Sequence, residues 1–326
     1  MSRYRVHRST IDGAMRIALR DEAADTCAEL IPSIGSNVIR FASGGREALM
    51  PPDSVASLAE GDAVYRYGVP ILFPPNRVKN GAFAFKGRTY RLPINEPPDH
   101  HLHGELCSRA WEVTDAGATE DLGAYAVSRF RYADHPDMMA YFPHPLTFTI
   151  TYSVREGALR MSGTIANEGS DDAPFAFGLH PYFRVPYAEG ERIELQAPAA
   201  LEWPVTNLAF VNGKPEETAF SRALNEGVSI AGYPALGCSL LSMREGDSTC
   251  RLRLPDRGYA IAFRFGAVFS HAVLFRPDWC SAFSIEPYTS VTDAFNVAFG
   301  SERTGARGIA PGETIPFFAE YRIETE

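Results

Sequence analysis

Two segments far apart in the chain each set one titratable side chain among apolar or conformationally stiff neighbours: Gly178-Leu179-His180-Pro181-Tyr182-Phe183 and Ile285-Glu286-Pro287-Tyr288-Thr289. An imidazole and a carboxylate form an acid and a base that operate near neutral pH. Brought to one pocket, His180 and Glu286 would shuttle protons on a small neutral substrate. Taken singly, each has a plainer reading: His180 as a packed, hydrogen-bonded histidine, and Glu286 as a solvated carboxylate at a strand edge.

Two further stretches carry groups that could hold such a substrate. Gly68 to Pro75 is apolar and proline-rich and ends at Asn76-Arg77. Prolines restrict the backbone, so they can fix an amide and a guanidinium in place. Arg77 offers a planar fork of donors suited to vicinal hydroxyls or to a carboxylate; its plainer reading is a surface arginine in a stiff loop. His100-His101-Leu102-His103-Gly104-Glu105 packs three histidines into four residues. On a strand, His101 and His103 would point the same way and could ligate a metal with Glu105. Alternatively they donate hydrogen bonds to a ligand, or are solvated loop residues. His103 is the preferred ligand-binding residue, since Gly104 permits close backbone approach, and no metal is expected. Aromatic residues flank these groups: Phe73, Tyr182, Phe183, Trp279 and Tyr288. Sugar rings have apolar C–H faces and a rim of hydroxyls, so flat aromatic walls with a few polar forks make a plausible sugar pocket.

The elements that must position these groups are strands. Thr147 to Val154 alternates polar and apolar residues, the period of a strand with one buried face. Arg155-Glu156-Gly157 follows, then Leu159, Met161, Gly163 and Ile165 alternate with polar residues, which reads as a β-hairpin. Tyr259 to Phe265 alternates similarly, and Ala14 to Leu19, Ala28 to Ile31 and Val38 to Phe41 are shorter strand candidates. Helical periodicity is scarce: Asp53 to Glu60, capped by Asp53, and one or two turns over Thr292 to Phe299. The 27 glycines and 24 prolines suit many short strands joined by turns. These patterns predict an all-β sandwich or barrel. No linker composition or internal repeat divides the 326 residues, so a single domain over 1–326 is expected.

Bulk properties narrow the function. A net charge of −9 argues against nucleic acid as a partner. No apolar run reaches membrane-spanning length, and Met1 to Ile11 is too polar for a secretory signal. Cys27, Cys107, Cys238, Cys250 and Cys280 are odd in number and show no CxxC spacing, so a disulfide framework is not expected and a reducing, cytoplasmic setting fits. Phosphate-binding loops, dinucleotide fingerprints, nucleophile elbows and zinc-protease helices are all missing from the sequence. A reaction without a cofactor fits best.

Taken in order, the segments resemble the aldose 1-epimerase (galactose mutarotase) family. The matching pieces are Pro70 through Arg77, Gly81 through Gly87 with Tyr90, His101-Leu102-His103-Gly104, Gly178 through Phe183, Ile285-Glu286-Pro287, Thr292 through Asn296, and Ala310-Pro311-Gly312-Glu313. The resemblance implies a large antiparallel β-sandwich, with few short helices here, that interconverts the anomers of a free hexose in an open cleft, without cofactor or metal. Carried over by motif, Glu286 is the general base and His180 the general acid, on opposite sides of the sugar ring. His103, Arg77 and Asn76 position the sugar, with Tyr182 beside it. Many members carry an aspartate on an intervening strand that binds a sugar hydroxyl; here that stretch is Leu236-Gly237-Cys238-Ser239-Leu240, with no acid, which puts the preferred sugar in question. The expected partner is a monosaccharide, with the protein a monomer or homodimer. Three alternatives remain: a hexose-6-phosphate epimerase of the same fold, which needs basic residues at the cleft rim; a non-catalytic sugar-binding module; and a metal-dependent isomerase on His101, His103 and Glu105.

Overall fold

The alternation read from Thr147 to Val154 becomes a strand over Leu146–Arg155 whose residues are buried at every second position. It turns through Glu156 and Gly157, both at positive φ, into Ala158–Asn167, with Arg155 opposite Ala158. The structure is a computed structural model describing residues 2–326; the segment begun at Met1 therefore lies outside the described residues at its first position, and Tyr4–Ile11 is a strand. The hairpin sits in a nine-stranded sheet that also holds Tyr259–Phe265 and the long C-terminal strand Thr314–Thr325. The three short N-terminal candidates lie in a five-stranded sheet, as Ala14–Asp21, Thr26–Ile31 and Asn37–Ser43. All paired strands within these sheets run antiparallel, which gives the expected large sandwich.

A seven-stranded sheet carries Glu286, with His180 between two of its short strands. Its members include Ile71–Leu72, Gly178–Leu179, Tyr182–Arg184, Cys238–Met243, His271–Phe275 and Ala282–Tyr288. Period two divides its two faces. Phe183 packs on Phe263 and Tyr321 of the nine-stranded sheet, with ring centroids 5.3 and 6.1 Å away, and Phe283 and Ile285 are buried in the same core. Side chains one position on, among them Tyr182, Ser284, Glu286 and Tyr288, belong to the opposite face.

The helices differ from the sequence expectation. The first covers Val55–Leu58, and its N-cap is Ser54, not Asp53, in a capping box with Ser57. A hydroxyl next to the first turn reaches the N3 amide directly, while Asp53 stands one residue too early. Thr292 to Asn296 forms hydrogen-bonded turns with no helix, where Asp293 takes a left-handed φ that an α-helix does not accommodate.

Candidate active site

His180 is placed opposite Glu286 by strand register. Gly178 pairs with Tyr288 and Tyr182 pairs with Ser284, so His180, in the gap between these two short strands, falls across from Glu286. Residues directly opposite on antiparallel strands bring their side chains into contact. On the other flank, the His180 and Tyr182 amides donate to the carbonyls of Pro70 and Gly68, at 3.0 and 2.9 Å. The stiff Gly68–Pro75 stretch thus braces the histidine segment as well as Asn76 and Arg77.

The two catalytic candidates touch. His180 Nε2 lies 3.3 Å from Glu286 Oε1, and the residues are only 4% and 2% exposed. Glu286 is therefore no solvated edge carboxylate. Nor do the two groups stand across a ring-wide gap: they form a contiguous pair.

The surrounding hydrogen bonds assign each atom a role. Ser284 Oγ donates to the Pro181 carbonyl at 2.7 Å, so toward His180 Nδ1, 2.9 Å away, it acts as acceptor. That places a proton on Nδ1 and leaves Nε2 as the exchangeable nitrogen. Tyr182 stacks on the imidazole with centroids 4.4 Å apart, and its hydroxyl is 3.2 Å from Nε2. The Tyr288 hydroxyl donates to Glu286 Oε2, so Oε1 is the oxygen left for chemistry. Ser284, Glu286 and Tyr288 lie at every second residue of one strand and so share a face.

Burial sets the protonation. It pushes Glu286 up to about 8, opposed by the Tyr288 hydrogen bond, by the neighbouring Ser284 hydroxyl and by the charge of Arg77, and it pushes His180 down. Removing two ions from water costs several kcal/mol each, more than a buried contact reliably returns. The pair therefore favours its uncharged arrangement, with one exchangeable proton between Nε2 and Oε1.

The pair opens onto a cavity of about 300 Å³ lined by, among others, Asn76, Arg77, His103, Tyr182, Cys238 and Trp279. That is the lower end of small-molecule sites, the scale of one sugar ring. Every sequence-derived site residue, catalytic or binding, is on its wall. His103 is buried and accepts from the Asn76 amide through Nδ1 at 3.2 Å. Burial pushes its pKa well down, so it is neutral with Nε2–H as its donor. Asn76 Oδ1 accepts from the Arg77 amide at 2.9 Å.

Other expectations are corrected. His101 and His103 do not project together as metal ligands: the strand ends at Leu102 and His103 takes φ +60°, which breaks the alternation. His101 Nδ1 instead meets the Pro93 carbonyl at 2.7 Å. Glu105 accepts from Arg109 Nε at 3.0 Å and from Tyr141 at 2.6 Å. Among the described residues no group of three such side chains converges. Gly104 allows close approach to protein, not ligand: a Cβ there would lie 1.9 Å from the Phe73 carbonyl. Of the aromatic residues, Tyr182 and Trp279 line the cavity, whereas Phe73 and Phe183 are core and Tyr288 serves Glu286. The Arg77 fork already holds a carboxylate, that of Glu96, through Nε at 2.7 Å and Nη2 at 2.6 Å. Cys238, from the acid-free stretch, lines the cavity, and burial pushes its thiol up to about 12, so it is a neutral wall.

The sequence model for aldose 1-epimerase matches residues 17–322. Two uncharacterised proteins of Escherichia coli (strain K12) are similar. YphB is 30% identical over 274 residues, 78% of this chain and 83% of YphB. YihR is 30% identical over 133 residues, so the match spans only 40% of each chain. Among solved structures, a galactose mutarotase-like protein from Clostridium acetobutylicum superimposes with a TM-score of 0.88 at 22% identity, covering 99% of both chains.

Proposed function

This chain belongs to the aldose 1-epimerase family, and from that premise we propose that it interconverts the α and β anomers of a free aldose, with Glu286 as general base and His180 as general acid. The observation that carries this reading is the 3.3 Å contact between His180 Nε2 and Glu286 Oε1 in the wall of a sugar-sized cavity. The anomeric hydroxyl and the ring oxygen are both bonded to C1, so the groups that serve them must also be neighbours.

The chemistry follows from those two atoms. With the pair as carboxylate and imidazolium, Oε1 takes the proton from the anomeric hydroxyl. The C1–O5 bond breaks as C1=O1 forms, and the electron pair left on O5 takes the proton from Nε2. The sugar is then an open aldehyde and the pair is uncharged, the state that burial favours, so ring opening discharges two buried ions. Rotation about C1–C2 presents the other carbonyl face, and the transfers reverse. General acid–base assistance is worth roughly 10²–10⁴ in rate, and holding the reacting atoms in contact adds more. His103, through Nε2–H, and Asn76 position hydroxyls, Tyr182 supports the acid, and Arg77 fixes the wall. The protein acts as a single domain on a monosaccharide, as a monomer or homodimer in the cytoplasm, with no nucleic-acid or membrane partner.

Polarimetry on freshly dissolved α-D-glucose, α-D-galactose and other aldoses tests this reading: at least one unphosphorylated aldose is expected to mutarotate faster. Acceleration confined to hexose 6-phosphates would favour the phosphosugar alternative. Binding without acceleration across the panel would favour a sugar-binding module.

A further inference from the structure

Sequence reading passed over Glu96, in the loop between Pro93 and His100. Besides Glu286 it is the only carboxylate on the cavity wall among the described residues. Resting on the epimerase reading above, we propose that Glu96 selects the substrate: it accepts hydrogen bonds from hydroxyls of the bound sugar and restricts the site to aldoses that are uncharged where they meet it.

Three observations support this. Glu96 is immobilised from both ends. Its backbone exchanges hydrogen bonds with His100, both at 3.0 Å, and its two carboxylate oxygens receive Arg77 Nε and Nη2. Arg77 is itself tied to the Leu208 carbonyl at 3.2 Å and lies on a two-residue strand paired with His101–Leu102. Next, the fork leaves acceptor capacity unused. A carboxylate offers about four lone-pair sites and Arg77 fills two, while the Glu96 side chain stays 26% exposed. Finally, the wall lacks other charged acceptors. His103 presents a donor, the Arg77 fork is taken up by Glu96 itself, Asn76 Oδ1 is occupied, and Glu286 is committed to the anomeric oxygen. A sugar hydroxyl needs an acceptor for its proton when it leaves water, and Glu96 supplies one. A phosphate or carboxylate on the substrate at that position would meet a fixed like charge.

The experiment combines Glu96→Gln with monodeoxy analogues of whichever hexose the wild type binds most tightly, reading Kd by titration calorimetry and KM and kcat by polarimetry. E96Q should weaken Kd and KM for the parent hexose about tenfold, the scale of one charge-assisted hydrogen bond, with a smaller fall in kcat. One analogue, missing the hydroxyl that Glu96 receives, should bind wild type and E96Q equally, and a hexose phosphorylated at that same position should gain on free hexose in E96Q. Equal loss for the parent and every analogue, or no loss at all, overturns the proposal. If E96Q fails to fold, Glu96→Asp, which keeps the charge but withdraws it by one methylene, must show the same one-analogue pattern or the proposal falls. Calorimetry keeps the two readings separable: hexose binding by a wild type that does not speed anomer exchange refutes the epimerase, while Glu96 selection is still decided by Kd.

Discussion

His180 and Glu286 meet because the strands that carry them are in register: the pairs Gly178–Tyr288 and Tyr182–Ser284 leave the imidazole and the carboxyl facing each other with Nε2 and Oε1 3.3 Å apart. A one-residue slip would send every side chain of a strand to the other face, so the core residues Phe183, Phe283 and Ile285, by fixing the register, also hold the acid–base pair together.

The pH dependence of the reaction follows from the shared proton. Burial pushes Glu286 up to about 8, so the last proton of the pair leaves only near that pH. Burial pushes His180 below the usual imidazole range, so a second proton binds only in acid. The plot of kcat/KM against pH should therefore be flat through the range where an ordinary histidine titrates, and fall on the alkaline side near 8. An acid limb at the ordinary imidazole value would show that the pair is not desolvated as described.

Stability should respond with the opposite preference at the two ends of the pH range. Glu286 has a folded-state pKa above its unfolded value of 4.5, so its contribution is full below 4.5 and is lost as pH rises through about 8. Glu286→Gln cannot ionise and escapes that loss. Thermal melts should show the variant gaining on wild type with rising pH, by an amount on the order of a few kcal/mol at the alkaline end. Parallel melting curves across the pH range would contradict the buried carboxylate.

Ser284 is a positioning residue for His180. Its hydroxyl accepts from Nδ1–H because its own proton is committed to the Pro181 carbonyl. Ser284→Ala frees the tautomer and ring orientation, and kcat should drop about 10- to 100-fold, the scale seen when the partner orienting a metal-bound imidazole is removed, with KM little changed. Ser284→Thr keeps the hydroxyl and should recover most of the loss. A Thr variant as impaired as the Ala variant would point to packing instead.

Much of this was legible in the chain itself. Leu146–Arg155 alternates so regularly that its burial could be read off, and the segments around Asn76-Arg77, His103, His180 and Glu286 carry the family resemblance in order. Contacts that depend on register or loop path were not legible. Ser284 and Tyr288 share a face with Glu286 by simple period two, so that face was available once the strand was recognised; which atoms they touch was not. Glu96 lies in Pro93-Ile94-Asn95-Glu96-Pro97-Pro98, a stretch with no periodicity, and only the folded loop shows it reaching Arg77. The alternative of His101 and His103 pointing the same way assumes an unbroken strand, and the left-handed backbone at His103 ends it.

The most direct test of the paired acid and base is the mutarotation rate of a freshly dissolved accepted aldose, followed by polarimetry with wild type, Glu286→Gln and His180→Asn at matched, verified folding. Each substitution should remove about 10²–10⁴ of the acceleration, and the double variant should be little worse than either single one, since the two groups act as a unit. Full acceleration in either folded single variant would contradict the account.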